Sequence, residues 1–171
     1  GSYPTSYIPT YGVNQTRAYD VCKNTSATSL IGQSEGTAFL DITNGDENEA
    51  NAFLTISDNS VYNNHIWLGQ SGTTLQVLVK TSGVYTIVQN TSQLVEGRIK
   101  IALIYSNNLL KIFVNGVQIY TNTSGAIPST FTRMELGAFN TTINTGTARY
   151  DQAILFPTAL TDSECIALTT I

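Results

Sequence analysis

The chain has 171 residues, of which 8 are basic and 12 acidic, giving a net charge of −4 with only 12% charged side chains. With its cations scattered singly and a pI near 4.8, it lacks the basic patch that a nucleic-acid ligand requires. No apolar run approaches the ~18 residues needed to span a bilayer, so membrane insertion is not expected. The polar surface must come from Asn, Thr, Ser and Gln, which suits uncharged, hydrogen-bonding partners.

Gly1-Ser2 reads as a remnant of an expression tag, leaving residues 3–171 as one domain, long enough to bury a full core. Strand signals follow at short intervals: Ala18 to Cys22, Gly36 to Ile42, Ala52 to Ser57, Asn64 to Gly69, Thr74 to Lys80, Val84 to Gln89, Arg98 to Tyr105, Leu109 to Val114, Val117 to Thr121, Phe131 to Gly137 and Tyr150 to Phe156. Gly45 to Asn51 and Asn140 to Gly146 read as polar loops. This many strands predicts an all-β fold of two packed antiparallel sheets. Thr161-Asp-Ser-Glu164 has the form of a capping box, with Thr161 as N-cap, and predicts a short closing helix from Asp162 to Leu168.

The clearest pattern lies between Lys100 and Thr121. Ile101, Leu103 and Tyr105 share one face of a strand, and Leu110, Ile112 and Val114 share one face of the next, as the two-residue period of a pleated strand requires. Asn107-Asn108 and Asn115-Gly116 interrupt these runs. Asn-Gly tolerates the positive φ that a two-residue primed turn demands, so Val117 to Thr121 folds back on Leu110 to Val114. The expected result is a meander with one wet face.

Several motifs in order carry a family resemblance: Thr5-Ser-Tyr-Ile-Pro-Thr10, Thr16-Arg-Ala-Tyr-Asp20, Val114-Asn-Gly-Val117, Arg133-Met-Glu-Leu-Gly137 and Leu160-Thr-Asp-Ser-Glu164. Together they resemble the laminin-G-like, concanavalin A-like jelly roll, in the version found in bacteriophage tail-fibre and other virion proteins, and the likeness covers nearly the whole chain. It implies a two-sheet jelly-roll sandwich with one exposed concave face, used in lectin relatives to bind glycans and in virion proteins to meet the host surface. A homotrimer within a parent fibre, and a virion or extracellular location, would accompany that use.

Within the chain, Asn63-Asn-His-Ile-Trp-Leu68 is the sharpest constellation. If Ile66 and Leu68 face the core, alternation puts Asn63, His65 and Trp67 together on the opposite face. An aromatic ring beside amide and imidazole groups suits a sugar, whose apolar C–H face stacks while its hydroxyls pair with the polar neighbours. Tyr62 and Tyr85 would extend this platform. The alternative is that Trp67 fills the core and His65 pairs with a backbone carbonyl.

Catalysis is not expected. Glycoside hydrolases of this architecture need two carboxyl groups about 5 to 5.5 Å apart for retention, or farther apart for inversion, and the Glu-x-Asp-x-x-Glu strand that supplies them is absent. Asp46, Glu47 and Glu49 form an acidic loop whose oxygens are weak candidates for calcium, the one cofactor that a laminin-G-like rim suggests. The single His confines any Ser or Cys triad to His65, and neither cysteine has a recognisable local signature. Cys22 and Cys165 could pair as a disulfide or stay reduced. The expected function is therefore a non-catalytic glycan-recognising module. The rivals are a structural fibre module without a ligand and an enzyme with an unconventional carboxylate pair.

Overall fold

A computed structural model of the chain describes Gly12 and residues 22–45, 50–59, 63–94, 96–139 and 148–171. In chain order the elements are β1 (Cys22–Asn24), β2 (Gly36–Asn44), β3 (Ala52–Ser57), β4 (His65–Ser71), β5 (Thr74–Thr81), β6 (Val84–Leu94), β7 (Gly97–Ser106), β8 (Leu109–Val114), β9 (Val117–Asn122), β10 (Arg133–Leu136), β11 (Arg149–Phe156) and α1 (Asp162–Thr169). Of the expected first strand only Cys22 lies among the described residues, and the acidic loop, Tyr62 and the two N-terminal resemblance motifs lie outside them.

The strands form two antiparallel sheets, one of six in the order β1-β10-β3-β4-β5-β6 and one of five in the order β11-β2-β7-β8-β9. Their facing sides make the main core. Leu40 and Ile42 of β2, Ile101, Leu103 and Tyr105 of β7, and Leu110, Ile112 and Val114 of β8 meet Leu54, Ile56, Ile66, Leu68, Val77 and Val79 of the other sheet. The two-residue alternation read from the sequence is thus the alternation that builds the sandwich.

Turn chemistry sets the registers. Asn115 and Gly116 take φ values of 49° and 81°, the left-handed pair that a type I′ turn needs, and β9 folds back with Val117 opposite Val114. Ser82 and Gly83 do the same between β5 and β6, with φ values of 51° and 82°. That turn pairs Thr81 with Val84 and Lys80 with Tyr85.

The meander's expected wet face is covered. Ala102, Ile104 and Phe113, on the outer side of the five-stranded sheet, are buried beneath Ala159, Leu160 and Cys165. The short C-terminal helix and the residues leading into it supply this second layer. The helix is anchored by the expected capping box at Thr161 and Glu164, by an ion pair between Lys111 and Asp162 at 2.7 Å, and by the Gly116 amide donating to Thr169 Oγ1 at 3.1 Å. The cysteines are unpaired, Cys22 exposed and Cys165 buried.

Candidate functional site

With one outer face closed by the helix, the outer face of the six-stranded sheet becomes the surface to consider. The strand registers place its side chains in cross-strand rows. Arg133, Ser57, His65, Lys80 and Tyr85 form one row, and Glu135, Thr55, Trp67, Leu78 and Val88 the next. All share one side of the sheet, opposite the core-facing Ile66, Leu68, Val77 and Val79, because residues directly opposite in a ladder point the same way.

This face has two halves. Over β3 and β4 it is closed: after β10 the chain turns back across the sheet, the Gly137 amide donating to the Phe53 carbonyl at 3.4 Å and Thr55 Oγ1 donating to the Ala138 carbonyl at 2.9 Å. Ala138 is buried there, and the Phe139 ring stands edge-on to His65 with centroids 5.1 Å apart. Over β5 and β6 the face is open. Val88 is 62% and Tyr85 52% exposed, while Gln76, Leu78 and Lys80 are half-buried and Asn90 is exposed.

The expected platform is therefore corrected in one respect. Asn63, His65 and Trp67 precede or occupy β4 with the anticipated parity, but His65 is 1% and Trp67 3% exposed, so neither is a wet contact residue. The indole occupies the space above Gly69, where a Cβ would lie 2.5 Å from a ring carbon. Trp67 is a buried residue of the outer face, and its Nε1 is buried without a hydrogen-bond partner. Residues about seventy positions later in the chain contribute cover on this half of the face, Phe139 against His65 and Ala138 against Thr55.

Two of the anticipated residues do remain accessible. Tyr85 projects from β6, and Asn63 is exposed at the turn before β4. The Asn63 carbonyl accepts from the Gly83 amide at 2.9 Å, and the Asn64 side chain accepts from the Ser82 amide at 2.8 Å. These bonds tie the β3–β4 connection to the tip of the β5–β6 hairpin, so Asn63 and Tyr85 belong to one corner. The Lys80 ammonium lies over the Tyr85 ring, 5.0 Å from its centroid, and the His65 ring supports Tyr85 edge-on at 6.1 Å. Lys80 escaped the sequence reading although its signal was present: a two-residue Ser-Gly turn between alternating strands sets Lys80 opposite Tyr85.

Among the described residues, five carboxylates are engaged by partners away from this corner. Asp41 takes a bidentate bond from Arg98 at 3.0 and 2.8 Å, and ion pairs join Glu135 to Arg133, Asp151 to Arg149 and Asp162 to Lys111. The Arg98 hydrogen bond holds the Asp41 carboxyl below the usual carboxylate range. The backbone and hydroxyl of Thr161 do the same for Glu164. Both shifts run opposite to that of a proton donor, whose pKa must be raised. Among the described residues no group of three or more His, Cys, Asp or Glu side chains is placed to hold a metal. An apolar cleft of about 440 Å³ opens at the other edge of the sandwich, between β1, β10 and β11, lined by Leu30, Met134, Ile154 and Pro157 among others.

No protein-family model matches the sequence, and no curated protein matches it. Solved structures do share the fold. The CBM40 of the Ruminococcus gnavus IT-sialidase, bound to α2,3-sialyllactose, is 20% identical over 85% of this chain and 86% of its own, with a TM-score of 0.64. The leech intramolecular trans-sialidase complexed with 2,7-anhydro-Neu5Ac is 16% identical over 82% of this chain and 24% of its own, with a TM-score of 0.62. Botulinum neurotoxin type C, whose cell entry depends upon interaction with two ganglioside molecules, is 12% identical over 79% of this chain and 35% of its own, at 0.61. At these identities the likeness is one of fold, a two-sheet antiparallel jelly-roll sandwich of the concanavalin A-like kind.

Proposed function

We propose that this domain is a non-catalytic carbohydrate-binding module that takes its glycan on the open half of the six-stranded sheet. The observation that carries the reading is the corner where the half-exposed Tyr85 ring, braced by His65 and Lys80, stands beside the exposed amide of Asn63. A sugar presents an apolar C–H face that stacks on a phenol ring and a rim of hydroxyls that exchange hydrogen bonds with amides. Gln76 and Asn90, themselves hydrogen-bonded across β5 and β6, continue the uncharged polar surface beyond Leu78 and Val88. His65 supports the Tyr85 ring edge-on, and neither it nor Trp67 is exposed to touch sugar.

Two kinds of likeness support the reading. One is the solved relatives of this fold, which include a sialyllactose-bound module and a ganglioside-dependent toxin. The other is the order of sequence motifs, which supports the finer assignment of a laminin-G-like module displayed on a phage virion or fibre, meeting a host-surface polysaccharide. A glycan array probed with the native domain and with Tyr85→Ala tests the proposal. Binding to a defined set of glycans that Tyr85→Ala loses is expected. Silence across the array would favour a structural spacer instead, and binding untouched by the substitution would move the site elsewhere. Incubated with any polysaccharide it binds, the domain should release no reducing sugar.

A further inference from the structure

We propose that β6 is a self-association edge, at which two copies of this chain pair antiparallel about a two-fold axis and join their six-stranded sheets into one. The inference does not depend on the glycan reading.

A strand at the end of a sheet presents a row of unpaired N–H and C=O groups, and folded proteins blunt such edges with charge, proline or brevity. Among the described residues the two sheets end in β1, β6, β9 and β11. β1 has three residues, one of them Lys23. β11 carries Arg149 and Asp151. β9 is six residues long, and its exposed large apolar side chain is Val117. β6 differs from β1 and β11 in charge and from β9 in length: its eleven residues, Val-Tyr-Thr-Ile-Val-Gln-Asn-Thr-Ser-Gln-Leu, contain no charge and no proline, a neutrality that β9 shares over only six. Three exposed large hydrophobic residues, Val84, Tyr85 and Val88, lie on this one strand.

Charge permits a second copy as the occupant: the net charge of −4 on each chain opposes self-association, but β6 carries none of that charge, so pairing this strand with itself sets no like charges opposite each other. Geometry agrees. Register shifts set off the two ends of β6 from the stretch Ile87–Asn90, which runs regularly along β5. In an antiparallel pair, opposed residues share a face. A two-fold axis at Val88 sets that outward valine against its own mate and the core-side Ile87 against Gln89, so both faces match. The axis stands perpendicular to the sheet, which leaves both Tyr85 corners on the same side of the joined surface. Where the domain binds glycan there, pairing would make it bivalent, with avidity gained from one surface carrying two sites.

Sedimentation velocity of the native chain from about 1 µM to 1 mM, in reductant to keep the exposed Cys22 from cross-linking, tests the proposal. A reversible monomer–dimer equilibrium is expected. Val88→Lys places like charges opposite each other and should weaken dimerisation at least about tenfold with an unchanged circular dichroism spectrum. Asn90→Lys serves the same purpose if that spectrum changes. Ile154→Lys, on the opposite edge, should dimerise like the native chain. A monomer at every concentration, a dimer indifferent to both β6 lysines, or a dimer broken by Ile154→Lys would each overturn the assignment.

Discussion

Lys80 and Tyr85 are directly opposed across β5 and β6, with the ammonium 5.0 Å from the ring centroid. The contact fixes the orientation of a ring that is otherwise half in solvent, and a ring already held in place loses less freedom when a ligand stacks on it. Tyr85→Ala should therefore weaken glycan binding by about 1 to 3 kcal/mol and leave the melting temperature nearly unchanged. Titration calorimetry beside a thermal melt checks both halves.

Lys80 also decides how binding responds to salt. For a neutral sugar the ammonium contributes a single hydrogen bond, and affinity should change little between low and high ionic strength. A steep loss with salt would show that Lys80 meets a carboxylate on an acidic sugar, because only an ion pair is screened in that way. Lys80→Met separates the cases, since it removes the charge and keeps most of the stem over the ring.

Trp67 should behave as a core residue. Truncating a buried indole leaves a cavity, and Trp67→Ala should cost about 3 to 5 kcal/mol, enough to threaten a domain of ordinary stability. Gly69→Ala tests the same packing, because its added methyl meets the Asn51 carbonyl oxygen at 2.2 Å and the indole at 2.5 Å. Overpacking of this kind costs about 1 to 3 kcal/mol. Urea denaturation measures both, and an unaffected Gly69→Ala would overturn the close packing of Gly69 against Asn51 and the indole.

Asp41 sets part of the acid limit of stability. It is 4% exposed and its pKa is lowered, first by the hydrogen bond from Arg98. A carboxyl with a lower pKa in the folded than in the unfolded chain stabilises the fold above its ordinary value of 3.8. That contribution disappears as pH falls through the folded-state value. Melting temperatures should fall below about pH 4 in the native chain. Asp41→Asn should melt lower at pH 7 and show a shallower acid limb, and parallel curves would assign the limb to other carboxyls.

Thr161 holds the start of α1 through reciprocal bonds with Glu164. The Thr161 amide donates to Glu164 Oε2 at 2.8 Å and the Glu164 amide to Thr161 Oγ1 at 3.3 Å. Thr161→Ala should cost about 1 kcal/mol. A larger loss in chemical denaturation would mean that the helix undocks and uncovers Ala102, Ile104 and Phe113.

Most of the sandwich was legible because its information is local. The two-residue alternation of Ile101, Leu103 and Tyr105 and the turn chemistry of Asn115-Gly116 act within a few residues, and both reappear in the fold. What escaped was contributed from afar. Nothing near His65 announces that Phe139 will stand against its ring, and nothing near Ala102 announces a helix sixty residues later. Parity assigned these side chains to the correct side of each sheet. Burial depended on which segment returned to cover that side, and alternation carries no such information. The Thr161 capping box foretold the helix but not the surface on which it docks.

The two thiols offer a practical handle. Burial and the neighbouring Asp162 and Glu164 push the Cys165 pKa up to about 11, so near neutral pH it stays protonated and unreactive toward electrophiles. Cys22 is exposed on β1, at the far end of the six-stranded sheet from β6. Five interstrand steps of about 4.8 Å put these edges roughly 24 Å apart. A maleimide surface would therefore capture the unaltered chain through one chosen point and display β5 and β6 outward, in a uniform orientation and without an added tag.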